Sequence, residues 1–170
     1  MPPVRLSALL VAAFATLACS VAAAQTVVDK ARRDEIVRIP NEDPDMAAAM
    51  SAARAGLPDF LALARAPRPD MSNFAVKVAV REGDAAEYFW ITPFESKDGR
   101  FAGRINNTPR SVKTVKLGEP FTFAQGEIVD WMYLERGKMR GNYTACAILK
   151  RSPPSEAEDF KKRFGLDCKS

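Results

Sequence analysis

Apolar side chains recur every three or four positions after residue 43, the spacing of one buried helix face. The recurring residues are Met46, Met50, Ala53 and Leu57. Asp43 can cap the first backbone N–H groups, and Pro44 suits the first turn, so the pattern predicts a helix that begins there. Pro58 is expected to interrupt it and to open a second short helix that carries Phe60 and Leu61.

From residue 73 the period changes to two, which is typical of half-buried strands. The predicted strands cover residues 73–81, 87–94, 112–117, 121–123, 128–134 and 143–150, and a basic segment lies between Gly99 and Gly103. Short consecutive strands with short turns favour antiparallel pairing. The expected class is α+β, with the N-terminal helices packed on one side of a strongly bent antiparallel sheet or small barrel.

The end of the chain has the pattern of a short C-terminal helix. Ser155 and Glu158 have capping-box spacing, Phe160 and Phe164 lie four apart, and Gly165 stands where a helix would end. Docking of the Phe160 face on the sheet would bring the end of the chain back toward residues 143–150.

The first 24 residues have the pattern of a signal peptide. Arg5 precedes an apolar run, and small residues offer cleavage after Ala24, so we expect a periplasmic or secreted protein without a transmembrane span. Cys19 allows the alternative of a lipid anchor. Residues 25–42 are predicted to be a flexible leader, residues 43–150 the domain, and residues 151–170 the C-terminal helix and tail.

The composition limits the kinds of catalytic and metal-binding site that the chain can form. The chain has 170 residues, 25 Lys and Arg, 21 Asp and Glu, and no His, which excludes His-dependent nucleophile pairs and His-bearing metal sites. If Cys19 leaves with the signal peptide, Cys146 and Cys168 remain as an even pair that favours a disulfide, with two unrelated thiols as the alternative. We expect no metal site and no cofactor.

Several segments together resemble the YegJ-like family of bacterial domains of unknown function. The resemblance rests on residues 45–46, 52–54, 74–78, 87–91, 101–107, 128–133 and 141–144. It implies a small α+β domain, often secreted or lipid-anchored, with no established activity. This chain continues after Thr144 with Ala145 and Cys146, where the family pattern usually has a basic residue.

Asp130 is a carboxylate in the middle of an otherwise apolar strand, so it must find hydrogen-bond donors or face a cavity. One interpretation is a structural hub that accepts from backbone N–H groups and from Thr144 or Asn106. The other pairs Asp130 with Glu87 as acid and base of a carboxylate-dependent hydrolase that acts on an envelope polymer.

Aromatic and basic residues suggest a binding surface. The candidate binding residues are Trp90, Asn106, Trp131, Tyr133, Tyr143 and Thr144, although such aromatics also form the cores of small sheets. A basic cluster consists of Arg100, Arg104, Arg110, Lys113 and Lys116, with a solvated charged face as the alternative. In an exported protein we expect an envelope protein or an anionic polymer as the partner, not nucleic acid. Because the sequence carries no catalytic signature, the primary hypothesis is a non-enzymatic binding or accessory module that uses this aromatic and basic surface.

Overall fold

The computed structural model of the protein describes residues 43–168. The predicted signal peptide of residues 1–24, the candidate lipid-anchor residue Cys19 and the predicted leader of residues 25–42 lie outside the described residues. Within residues 43–168, no helix has the length and apolar character needed to cross a membrane.

Helix α1 spans Pro44–Arg65 and begins where its capping residue predicts. Asp43 Oδ1 accepts hydrogen bonds from Asp45 N at 3.0 Å and from Met46 N at 3.1 Å. Two of the N–H groups that the first turn leaves without a helical partner are thereby satisfied.

The predicted break at Pro58 is wrong, because α1 continues through this residue as one helix. A proline in a helix interior removes one backbone hydrogen bond and disfavours helical geometry at the preceding residue. Leu57, Phe60 and Leu61 are nevertheless all buried in the main hydrophobic core on either side of Pro58. Packing of this apolar face against the sheet outweighs the local penalty.

Six strands form one antiparallel sheet in the order β4-β3-β2-β1-β5-β6. Their bounds are Met71–Glu82 for β1, Ala85–Lys97 for β2, Arg100–Ile105 for β3, Pro120–Phe123 for β4, Ile128–Glu135 for β5 and Lys138–Gly141 for β6. The predicted strands 73–81, 87–94, 121–123 and 128–134 are confirmed. The basic segment after Gly99 forms β3.

The sheet is open, since β4 and β6 each pair with one strand and stand at opposite edges. The α+β class is confirmed, and of the two predicted sheet forms the closed barrel is not observed. Pairing between β1 and β5 shifts register between Ser72 and Ala75 and again between Lys77 and Val78. Such bulges bend a strand and increase its twist.

The prediction of a strand over 112–117 is wrong. Residues 106–119 connect β3 to β4 as a loop, in which Val112 and Val115 are buried in the main core. The backbone N–H groups of Arg110, Ser111 and Val112 donate to the carboxylate of Glu87. Because these groups converge on one side chain, they are not available to a neighbouring strand.

The prediction of a strand over 143–150 is also wrong, because Tyr143–Leu149 forms helix α2. Strand β6, which the sequence pattern did not predict, directly precedes it. Gly141 and Asn142 both have positive φ, at 76° and 55°, and turn the chain from β6 into α2. A short apolar run does not by itself distinguish a buried strand from a helix.

Helix α3 spans Pro154–Phe164 and ends at Gly165, as predicted. Its N-cap is Pro153, so the predicted capping box at Ser155 is wrong. Phe160 packs in a second apolar cluster with Leu149 of α2. The end of the described chain is held by a disulfide that joins Cys146 to Cys168, with a Cα–Cα distance of 5.6 Å.

Candidate functional site

Asp130 is the third residue of β5 and is completely buried. Its Oδ1 accepts from Trp131 N at 2.8 Å and from Tyr143 N at 3.2 Å. Its Oδ2 accepts from Thr144 N at 2.8 Å and from Thr144 Oγ1 at 2.6 Å. The carboxylate thus binds the first turn of α2 to β5, which is the hub arrangement, with Thr144 rather than Asn106 as a partner.

Lys77 completes a polar cluster with Asp130 and Thr144. Lys77 stands directly opposite Asp130 in the β1–β5 pair, and its Nζ donates to Thr144 Oγ1 at 2.6 Å. The same Nζ lies 4.6 Å from the centre of the Trp90 ring, close enough for a cation–π interaction. One threonine hydroxyl therefore accepts from the lysine and donates to the carboxylate.

Burial dominates the electrostatics of this cluster. Burial raises the pKa of Asp130 and lowers the pKa of Lys77, while the opposite charge of each residue counteracts the effect of burial on the other. The Thr144 side chain is buried and its proton is directed at Asp130. These contacts give the cluster a structural role, joining β1, β5 and α2.

Glu87 does not share a cleft with Asp130. Glu87 lies three residues before Trp90, which pairs with Lys77, and Lys77 in turn pairs with Asp130. Because side chains alternate along a strand, Glu87 points to the sheet face opposite that of Asp130. Its Oε2 accepts from Ser111 N at 2.8 Å and from two further backbone N–H groups. The two candidate acid and base residues are therefore separated by the sheet.

Trp131 belongs to the core rather than to the surface. Its side chain is buried, and the indole N–H donates to Ala53 O of α1 at 2.7 Å. Its ring lies over Phe60 with 4.9 Å between ring centres. Tyr133 and Tyr143, two further candidate binding residues, are half-buried and pack against the same core. These three aromatics hold α1 on the sheet.

Asn107, which the sequence did not single out, has the structural role beside Trp90. Its Oδ1 accepts from Trp90 N at 2.8 Å, and its Nδ2 donates to Tyr88 O at 3.4 Å. The neighbouring candidate Asn106 is exposed, and its backbone N–H donates to Trp90 O. Lys77 was also missed, because its alternation with the buried valines of β1 is the pattern of an exposed side chain.

Trp90 and Arg104 share the face of the sheet that carries Lys77. Ile91 pairs with Ile105 across β2 and β3, and both are buried in the main core. The residues that precede them therefore point to the opposite face. Trp90 is half-buried there, beside Lys77, and Arg104 is exposed.

The basic residues of the sequence divide between two parts of the fold. Alternation along β3 places Arg100 on the same face as Arg104, and we call Lys77, Trp90, Arg100 and Arg104 the basic sheet face. Glu95, opposite Ala102, adds one acidic side chain to it. Three other cations, Arg110, Lys113 and Lys116, belong to the loop that covers the core face.

The described chain offers no metal-binding group. Among residues 43–168, no three Asp, Glu or Cys side chains come together in a way that could hold a metal ion. The buried carboxylates have their acceptor positions occupied by N–H and O–H donors, as described above for Glu87 and Asp130.

Comparison with known proteins places the chain in a family of uncharacterised bacterial proteins. A family described as "Uncharacterized protein conserved in bacteria (DUF2314)" matches residues 43–168. "Uncharacterized protein YegJ" of Escherichia coli (strain K12) is 32% identical over 97 residues, which cover 57% of this chain and 63% of the relative. No solved structure matches the chain. Lys77, Trp90, Asp130 and Thr144 each come from a segment that carries the YegJ-like resemblance, and the chain belongs to the bacterial DUF2314 family.

Proposed function

We propose that this protein is an exported, non-enzymatic binding module that holds an anionic polymer of the cell envelope on its basic sheet face. The observation that carries the proposal is the position of Trp90, half-buried on a sheet face between Lys77 and the exposed Arg104. An aromatic ring can stack on a sugar ring or another flat group, and guanidinium groups bind phosphate, sulfate and carboxylate groups.

The charge of this face supports an anionic partner. Among residues 43–168, neither Arg100 nor Arg104 forms an ion pair, and Arg104 Nη1 donates to the carbonyl oxygen of Gly118 at 3.0 Å. These two cations outnumber Glu95 on the same strands. A partner that supplies phosphate or sulfate groups would neutralise them with modest desolvation.

Export is the second part of the proposal. The leader pattern of residues 1–24 supports it, and so does the disulfide between Cys146 and Cys168, since disulfides persist in oxidising compartments. Recovery from the envelope fraction of a chain that begins at Gln25 would support the assignment. A chain found only in the cytoplasm with both thiols reduced would contradict it.

Two polymers that differ only in charge test the binding proposal. We expect dextran sulfate to change the fluorescence of Trp90 saturably, with an affinity that falls as salt rises, and neutral dextran to bind at least tenfold more weakly. Arg104→Gln and Trp90→Ala should each weaken dextran sulfate binding several-fold, with binding of the Trp90 variant followed by polarisation of a labelled polymer.

Lys162→Gln is the matched control, because Lys162 is exposed on α3 and the change removes the same single charge. Equal binding of dextran sulfate by Lys162→Gln and Arg104→Gln would overturn the basic sheet face as the binding surface. Absence of any binding to dextran sulfate by the folded protein would overturn the anionic polymer as the partner.

A further inference from the structure

A cleft of about 710 Å³ lies between α1, the end of β1 and the connections on either side of β4. None of the residues Trp90, Arg100 and Arg104 lines it. Its apolar lining includes Val80, Val115 and Phe121. Clefts of this size accommodate ligands of the mass of a short peptide.

Charges of both signs line this cleft. Arg54 of α1 and Arg81 of β1 contribute two cations, and Glu119 and Glu127 contribute two carboxylates. Among residues 43–168, none of the four takes part in an ion pair, so the opposite charges face the same space without neutralising one another.

Both carboxylates are held in place by the backbone. Glu119 Oε2 accepts from Lys116 N at 2.8 Å, and Glu127 Oε2 accepts from Ala124 N at 2.6 Å. Each glutamate is thus oriented by a hydrogen bond from a neutral backbone N–H group, which leaves its negative charge without an ion-pair partner in the described part of the chain. Carboxylates that are positioned in advance lose little conformational freedom when a ligand binds.

We propose that this cleft binds the zwitterionic form of a short peptide, with its terminal carboxylate toward Arg54 and Arg81 and its terminal ammonium toward Glu119 and Glu127. A ligand with charge of one sign would be attracted by one pair of side chains and repelled by the other, whereas a zwitterion can face each of its charges toward the opposite sign. Small apolar side chains between the two termini would contact Val80, Val115 and Phe121.

Tri-alanine and its two end-blocked derivatives provide the test. We expect tri-alanine to shift backbone amide signals of cleft residues saturably in ¹⁵N NMR spectra of the purified, disulfide-bonded protein. N-acetyl tri-alanine and tri-alanine amide should each bind at least tenfold more weakly, because each lacks one of the two terminal charges.

Charge-removing variants connect each end of the peptide to its side chains. In Arg81→Gln, tri-alanine should bind more weakly, and its advantage over the C-terminal amide should shrink, because only Arg54 remains for the carboxylate. In Glu127→Gln, the advantage of tri-alanine over N-acetyl tri-alanine should shrink, because only Glu119 remains for the ammonium, while the glutamine oxygen retains an acceptor for Ala124 N. Glu158→Gln, at an exposed position on α3, should leave all three affinities unchanged.

Three results would overturn the proposal. Tri-alanine could fail to cause saturable shifts, or the blocked peptides could bind as tightly as the free one. N-acetyl tri-alanine could also bind more tightly than tri-alanine, which would identify a site for anions instead. The amide spectrum of each variant shows directly whether the fold is retained.

Discussion

The carboxylate of Asp130 and the indole of Trp131 leave β5 on opposite faces of the sheet, and each holds a different helix. Trp131 Nε1 donates to Ala53 O of α1 at 2.7 Å, and Asp130 accepts from Thr144 N of α2 at 2.8 Å. Two consecutive residues therefore position both helices relative to one strand. Substitutions in this pair are expected to act on stability before they act on any surface property.

Asp130→Asn should lower the free energy of unfolding by about 3–5 kcal/mol, because it leaves the Lys77 ammonium buried without its counter-charge. Thr144→Val should lower it by about 1–3 kcal/mol, since it removes the hydroxyl that joins the two charges. Urea denaturation measures both changes.

The double variant Asp130→Asn, Thr144→Val tests whether the cluster acts as a unit. Its loss should be smaller than the sum of the single losses, because each change removes contacts that the other also removes. Additivity within about 0.5 kcal/mol would contradict the description of Lys77, Thr144 and Asp130 as one network.

Lys77→Met should make the free energy of unfolding depend more strongly on pH in the acid range. Burial raises the pKa of Asp130 above its ordinary value of 3.8, and Lys77 opposes that rise, so removal of Lys77 raises it further. The folded variant then retains a proton that the unfolded chain releases. Its free energy of unfolding should fall as pH increases from 3.8 to the folded-state pKa of Asp130.

Urea denaturation at a series of values between about pH 4 and pH 8 measures this slope. Lys77→Met, Asp130→Asn should lack the added slope, because the titrating carboxyl is gone. A Lys77→Met variant whose stability follows pH as the wild-type protein does would show that Asp130 does not titrate in this way.

Hydrophobic periodicity and capping residues correctly predicted the strands and the helix start that depend on neighbouring residues alone. Alternation along residues 73–81 and 128–134 identified strands β1 and β5, and Asp43 identified the start of α1. The errors at 112–117 and 143–150 share a different cause. The backbone N–H groups there bind Glu87 and Asp130, whose partners lie as far as 25 and 14 residues away in sequence. No local period contains that information.

The candidate site was also predicted in part: two of its three residues were identified from the sequence. Asp130 was identified because a buried carboxylate needs donors, and Thr144 was named among them. Lys77 was missed because a lysine at an outward position of an alternating strand looks like solvent-exposed surface. Only the pairing of β1 with β5 places it opposite Asp130.

Cys168→Ser should lower the free energy of unfolding by about 3 kcal/mol, the entropy of closing a loop of this length in the unfolded chain. Amide hydrogens of α3 should exchange faster, because the disulfide holds the chain beyond this helix to α2. Cys146→Ser, Cys168→Ser is the control and should lose no more than the single variant. A non-reduced wild-type chain with the mass of two free thiols would contradict the prediction.

Alanine substitutions at three glycines distinguish the cost of positive φ from the cost of a steric clash. Gly141 has φ at 76°, and a Cβ added there would lie 2.2 Å from Trp131 O, whereas Gly137 has φ at 75° but no atom within 4 Å of an added Cβ. Gly126 lacks both features. Alanine should therefore change stability by at most about 0.5 kcal/mol at Gly126 and reduce it by about 1–2 kcal/mol at Gly137.

At Gly141 the same substitution should cost more than at Gly137, about 3 kcal/mol or more, because the Trp131 carbonyl is backbone in β5 and cannot move without disturbing the sheet. Thermal or urea unfolding of the three variants under one set of conditions measures the order. Equal losses of stability at Gly141 and Gly137 would mean that positive φ alone explains why residue 141 is glycine. A larger loss at Gly141 would show that close packing of the β6–α2 turn on Trp131 also requires it.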